Sequence, residues 1–237
     1  MSAQANDSTI RNTNKRIGLS ASHKEYLSIL FDLDGTLTNP KVGITRAVQY
    51  ALSRHGIVID NADDLQTYIG PPLKAAFMDY HHLSDAESHQ ALSFYREYYE
   101  RSGMLENVEY PGIAELLGAL KQKKKRLFVA TSKPTVYAEK IASHFRIDQF
   151  FESIQGSELD GTRSDKADLI RYVIEQHQLE KGTTVMVGDR MHDIIGASRS
   201  GIDSIGVGYG FGSREELENA NATYYVETIQ GLSEFFR

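Results

Sequence analysis

Cysteine is absent from the 237 residues, which removes disulfides, thiolate nucleophiles, Cys-ligated zinc and iron–sulfur clusters together. Any covalent chemistry must come from oxygen or nitrogen groups. Long apolar runs are missing too: nothing approaches the roughly 20 residues needed to span a bilayer. The first 25 residues also lack the apolar stretch of a secretory signal, so the expectation is a soluble, cytoplasmic protein. Positive charge is in deficit, with 26 Lys plus Arg against 32 Asp plus Glu and a net charge of −6. No global field exists to hold a nucleic-acid polymer or an anionic membrane, so charge argues mildly against both partners. Oligomeric state, monomer or dimer, stays open. What is present is 41% hydrophobic and 24% charged residues, enough for a packed core and for a large domain with a smaller one inserted.

Residues 1–25 are rich in Ser, Asn, Thr and Ala without apolar periodicity, and read as a flexible N-terminal extension. Short apolar runs follow at Leu27–Leu33, Leu127–Ala130, Phe150–Ile154, Thr184–Val187, Ser204–Val207 and Thr223–Val226. Between most of them lie helical patterns, such as Ile113, Leu116, Leu117 and Leu120, or Ala167, Ile170, Val173 and Ile174. Alternating strand and helix predicts an α/β fold, a parallel sheet covered on both faces. The alternation breaks between Thr38 and Glu109, where there is no convincing strand. Helical patterns stand there instead, at Ile44–Leu52 and Leu73–Met78, and after a capping box opened by Ser84 and Glu87. This stretch reads as an inserted helical domain, residues 39–109, within a core of 26–38 and 110–237. Asn39-Pro40 and Tyr110-Pro111-Gly112 punctuate its ends. The basic cluster Lys121, Lys123, Lys124, Lys125 and Arg126 ends a helix, where cations favour the dipole.

Four segments carry chemistry. Asp32-Leu33-Asp34-Gly35-Thr36 follows the first strand, where open α/β sheets build their sites. Two carboxylates at i and i+2 of an extended segment point to one side, and raise each other's pKa unless a cation sits between them. Gly35 permits the sharp turn and Thr36 offers a hydroxyl and amide to an anion; an Asx turn alone would need only one Asp. Gly188-Asp189 closes another apolar strand and Asp193 lies one helical turn on, a pair able to complete an oxygen-ligand site for Mg²⁺. Thr131-Ser132-Lys133-Pro134 ends a strand with hydroxyls ahead of Pro134, placed as the first residue of a helix, a seat for an anion. Lys166 stands in the first turn of a helix, where a cation opposes the dipole and invites an anionic neighbour.

In this order the four segments resemble those of the haloacid dehalogenase-like (HAD) hydrolase superfamily, over Leu27 to Phe236. Asp32 to Thr36 match the family's first motif, Thr131 its hydroxyl motif, Lys166 its lysine motif without the common lysine-proline pair, and Gly188, Asp189 and Asp193 its acidic motif. The resemblance implies a Rossmann-like core with an inserted helical cap. It also implies a Mg²⁺-dependent phosphomonoesterase acting on a small phosphorylated metabolite. In that scheme Asp32 attacks phosphorus, Asp34 serves as acid and base, and Thr131 and Lys166 hold the phosphoryl oxygens. The Asp32 carboxylate, the Asp34 carbonyl, Asp189 and Asp193 bind the metal. Segments such as Tyr68-Ile69-Gly70-Pro71-Pro72-Leu73 look like the phosphoglycolate phosphatase branch and its bacterial members described as 5′-nucleotidases. Gly35, Thr36, Ser132, Lys133, Lys41 and Lys74 are candidate substrate-binding residues, with Arg46 and His192 as further contacts. A phosphomutase shares such a core, and a non-catalytic phosphate-binding scaffold is the reading from another class.

Overall fold

The computed structural model describes residues 24–237, so most of the proposed N-terminal extension lies outside the described residues. In chain order come β1 (Ser28–Phe31), β2 (Thr38–Asn39), α1 (Lys41–Ser53), α2 (Leu73–His81), α3 (Asp85–Arg101) and β3 (Val108–Glu109). These are followed by α4 (Ile113–Gln122), β4 (Arg126–Pro134), α5 (Thr135–His144), β5 (Ser153–Ser157) and α6 (Lys166–Gln176). The chain ends with β6 (Thr184–Gly188), α7 (Met191–Ser200), β7 (Asp203–Val207), α8 (Arg214–Asn219), β8 (Tyr224–Val226) and α9 (Ile229–Phe235). Six strands pair in parallel in the order β5-β4-β1-β6-β7-β8.

Alternation along the strands sorts the core into two layers. Ile29, Phe31, Val129, Val185 and Val187 face α4, α5 and α9 through Leu117, Ile141 and Leu232. Leu30, Phe128, Ala130 and Met186 face α6 and α7 through Ile170, Val173 and Ala197. The chain winds outward from β1 in both directions, so the switch in strand order falls between β1 and β6, where a crevice opens at the carboxyl ends of the strands.

Helices α1, α2 and α3 build a third apolar cluster around Val48, Leu52, Leu65, Phe77 and Tyr95. The Ser84 hydroxyl accepts from the Glu87 amide while the Glu87 carboxylate accepts from the Ser84 amide, the capping box expected for α3. This helical unit is not strand-free at its margins. β2 and β3 pair antiparallel, Thr38 with Glu109 and Asn39 with Val108, forming a two-stranded ribbon where the chain leaves and re-enters the core. Two-residue strands are too short to show a period, which is why the sequence reads there as punctuation only.

Two further expectations shift. The strand expected at Phe150–Ile154 forms at Ser153–Ser157, with a 3₁₀ turn at Asp148–Phe150, because Phe150 and Phe151 pack side-on against the core while β4 sets the register from Ser153 onward. Pro134 sits just ahead of α5 as its cap and still belongs to β4, one residue earlier than expected. Three members of the basic cluster are tied to the chain's own acceptors: Lys123 donates to the Phe236 and Arg237 carbonyls, Lys125 pairs with Glu25 and Arg126 with Glu152.

Candidate active site

The site gathers at the crevice from strand ends far apart in sequence. The Asp32 amide donates 2.9 Å to the Val187 carbonyl, extending the pairing of β1 with β6 and fixing where the Asp32 side chain leaves the sheet. Gly35, at φ +83°, then turns the chain; a Cβ there would lie 2.2 Å from Asp189 Oδ2. Asp189 is packed between these loops with no solvent exposure. Its Oδ1 accepts from Thr36 Oγ1 at 3.3 Å and its Oδ2 from the Phe211 amide at 2.8 Å. Asp193, in the first turn of α7, accepts from the Arg190 amide at 3.1 Å and so also caps its own helix.

Carboxylate oxygens of Asp32, Asp189 and Asp193 lie within 4.8 Å of one another, all three buried. Among the described residues the one cation touching them is Lys166, whose Nζ is 2.9 Å from Asp32 Oδ1, 2.7 Å from Asp193 Oδ1 and 3.0 Å from the Ala130 carbonyl. The contacts with Asp32 and Ala130 are hydrogen bonds, and that with Asp193 is an ion pair. Burial would lower the Lys166 pKa, but Asp193 and Asp32 outweigh it and raise it, so the side chain stays charged. Asp189 forms no ion pair among the described residues: burial, with Asp193 and Asp32 nearby, pushes its pKa well above the usual carboxylate value, against the pull of the Phe211 amide and Arg190. Burial also lifts Asp193, to about 6, against the pull of Lys166. Three buried carboxylates against one lysine leave an excess of negative charge, and oxygen donors alone suit a hard divalent cation. The residues therefore fit such an ion.

Asp34 is 7% exposed and lines a cavity of about 580 Å³ between the core and the helical unit. Lys133 Nζ lies 2.8 Å from its Oδ2, while the buried Oδ1 has no hydrogen-bond partner among the described residues. Burial raises the Asp34 pKa, and the Lys133 ammonium opposes that rise. Asp32, Thr131, Ser132 and Lys133 line the same cavity, as does Lys74, which also pairs with Asp85. Thr131 Oγ1 accepts from the Lys133 amide at 3.3 Å and the Ser132 carbonyl from Ser157 Oγ at 2.9 Å.

Other candidates fall elsewhere. Lys41 does not line the cavity and pairs with Asp63 at 2.9 Å, because it opens α1 on the side of a second 3₁₀ turn, Ala62–Tyr68. Arg46 pairs with Glu106 at 2.7 Å near the ribbon, and His192 sits outside the cavity lining with its pKa lowered by burial, Arg190 and Lys166. Gly35 and Thr36 act on Asp189 and are not part of the cavity wall.

The structure adds residues that the motifs do not contain. Tyr68, Tyr95, Tyr99 and Tyr137 line the cavity with Leu92 and Arg96. Tyr95 and Tyr99, four apart on α3, are the visible trace of this wall in the sequence. Gly210 and Phe211 close over Asp189, the Phe211 amide as donor; alternating glycines at 208, 210 and 212 after an apolar strand mark that loop. Arg190 donates to the Ile69 carbonyl of the helical unit and pairs with Glu216 at 2.9 Å.

Comparison with known proteins agrees with this geometry. The sequence profile of the family described as haloacid dehalogenase-like hydrolase matches residues 29–207. The chain belongs to that family. A 5′-nucleotidase of Pseudomonas aeruginosa is 49% identical over 87% of this chain and 94% of its own. The tyrosine-protein kinase PtkA of Mycobacterium tuberculosis is 36% identical over 87% of this chain and 71% of its own. A phosphoglycolate phosphatase of Colwellia psychrerythraea is 26% identical over 90% and 97%. The crystal structure of a predicted phosphatase from Clostridium acetobutylicum superposes with a TM-score of 0.87 at 44% identity, covering 89% of this chain and 97% of that one. The HAD fold with its cap and the assignment as a phosphatase follow. Among the described residues no helix is long and apolar enough to cross a membrane.

Proposed function

We propose that this phosphatase hydrolyses nucleoside 5′-monophosphates, with Mg²⁺ and an aspartyl-phosphate intermediate, in a core of residues 26–38 and 110–237 closed by a cap of residues 39–109. The cavity carries this reading. At about 580 Å³, with Tyr68, Tyr95, Tyr99 and Tyr137 in its wall, it has the volume and the aromatic lining for a nucleoside. A two-carbon acid such as phosphoglycolate would leave most of that wall unused. The Tyr68 hydroxyl in this wall is buried with no hydrogen-bond partner among the described residues, a polar group that a nucleoside atom would satisfy once the ring turns toward it.

In the first step an Asp32 carboxylate oxygen attacks phosphorus, and the bond to the leaving oxygen breaks as the Asp34 carboxyl passes its proton to that oxygen. Asp34, now ionised, then takes a proton from the water that attacks phosphorus. The bond to Asp32 breaks, inorganic phosphate leaves, and both carboxyls return to their starting states. Burial, which raises the Asp34 pKa, favours its protonated form at the outset. Lys166 holds Asp32 and Asp193 in place, and Thr131 offers its hydroxyl to a phosphoryl oxygen. Asp32, Asp189, Asp193 and the Asp34 carbonyl would hold the Mg²⁺, whose charge offsets that of the phosphate and the nucleophile.

Release of inorganic phosphate from nucleoside monophosphates, phosphoglycolate and sugar phosphates, with magnesium and with chelator, tests the reading. Expected is metal-dependent turnover, highest on the nucleotides and lost in Asp32→Asn. Wild-type turnover by that variant overturns the nucleophile; preference for phosphoglycolate overturns the nucleoside seat.

A further inference from the structure

One contact between cap and core reaches the catalytic carboxylates directly. Lys133, only 8% exposed, has its Nζ 2.8 Å from Asp34 Oδ2 and 2.5 Å from the Tyr99 hydroxyl, with the Tyr99 ring centroid 4.8 Å away. Tyr99 belongs to α3 of the cap, whereas Asp34 and Lys133 belong to the core. An ammonium donates and never accepts, so Lys133 grips a core carboxylate and a cap hydroxyl at once.

Both ends of this bridge are braced. The pairing of β4 with β5 shifts register between Thr131 and Pro134. That displaced segment is clamped, since a Cβ on Gly156 would lie 2.1 Å from the Lys133 carbonyl oxygen. Tyr99 is stacked on Tyr95 at 5.2 Å and meets Tyr137 edge-on at 5.6 Å. The long Lys133 side chain links the Tyr99 hydroxyl to Asp34. Asp34 Oδ2 faces Lys133, and the buried Oδ1 has no hydrogen-bond partner among the described residues, so Lys133 is what orients the carboxyl.

We propose that Tyr99 is a positioning residue: from the cap it fixes the Lys133 ammonium, which holds the Asp34 carboxyl in the orientation it needs to protonate the leaving group. This rests on the phosphatase mechanism above and adds to it that Asp34 is aligned only while the cap is docked. When the cap lifts, Lys133 loses one of its two side-chain partners and regains rotamer freedom, and Asp34 loses its fixed orientation. Proton transfer to the leaving oxygen is thereby confined to the closed enzyme, with substrate enclosed.

Tyr99→Phe keeps the ring packing and removes the hydroxyl. In single turnovers of the intact enzyme with magnesium, release of the nucleoside from a nucleoside 5′-monophosphate is expected to slow about tenfold, with KM little changed. Release of p-nitrophenolate from p-nitrophenyl phosphate, a leaving group that departs without a proton, is expected to slow less than twofold. Lys133→Met should show the same dependence on leaving group more strongly, and carries the test if Tyr99→Phe fails to fold; Lys133→Arg should recover part of the loss. Equal slowing with both esters, or a raised KM at unchanged kcat, overturns the positioning role and leaves the phosphatase standing. If the wild type cleaves neither ester, the phosphatase mechanism itself is overturned.

Discussion

Asp189 shows how much of the site depends on atoms that are missing. It is enclosed because Gly35 and Gly210 have no side chain: a Cβ at either would come within 2.3 Å of it. Gly35→Ala therefore combines an unfavourable positive φ with a collision against a buried carboxylate. We expect it to lower unfolding stability by about 2–4 kcal/mol, read from the denaturant midpoint, and to abolish phosphate release. Gly56 has a similar φ of +75° with nothing within 4 Å of its Cβ position. Gly56→Ala should cost about 1 kcal/mol and leave activity intact, which separates backbone strain from crowding. Equal costs in the two variants would show that the contact with Asp189 is of no consequence.

Strand β7 is held against the start of the described chain by one carboxylate. Asp203 Oδ2 accepts from Lys24 Nζ and from the Tyr26 hydroxyl, both at 2.7 Å. Burial would raise the Asp203 pKa, yet its contacts with Lys24 and Tyr26 prevail and lower it. A depressed folded pKa contributes stability above the ordinary value near 4, and that contribution is lost as pH falls through the folded value. Lys24 is 45% exposed, so solvent screens its share. Asp203→Asn is expected to lose up to about 1 kcal/mol at pH 7, with the gap to wild type closing below pH 4. Urea midpoints across that range check it; a gap that widens in acid would reverse the assigned sign. This tie has no periodic signature, because Lys24 and Asp203 are 179 positions apart.

Cap and core meet across the cavity through few polar contacts: Tyr99 with Lys133, Tyr137 with Glu100, Arg96 with the Leu159 carbonyl, and Arg190 with the Ile69 carbonyl. Arg190 stands between Asp189 and Asp193 in the chain and is anchored to Glu216, so it joins the acidic loop to the cap segment that precedes Pro71 and Pro72. Arg190→Lys keeps the charge but loses the forked donor set that reaches Glu216 and Ile69 together. Faster amide exchange at residues 68–74 and a KM raised about tenfold are expected, kcat changing less. Unchanged exchange in that segment would mean that the cap docks without this contact.

Much of this protein was legible before any coordinates. Alternating strands and helices, the capping box at Ser84 and the paired acids at Asp32 and Asp34 are local patterns, set by neighbours within a turn or a strand, and they predict an α/β core with a helical insertion. The convergence of Asp32, Asp189, Asp193 and Lys166 is not local: Lys166 and Asp32 meet across 134 positions, and only the pairing of β1 with β4 and β6 brings their loops together. Family resemblance marked those residues without showing that one lysine serves two carboxylates. The tyrosine-lined cavity and the Lys133 bridge were decided by tertiary structure alone. They depend on how two separately packed cores face each other across a two-stranded ribbon, and no sequence period records the relative placement of two cores.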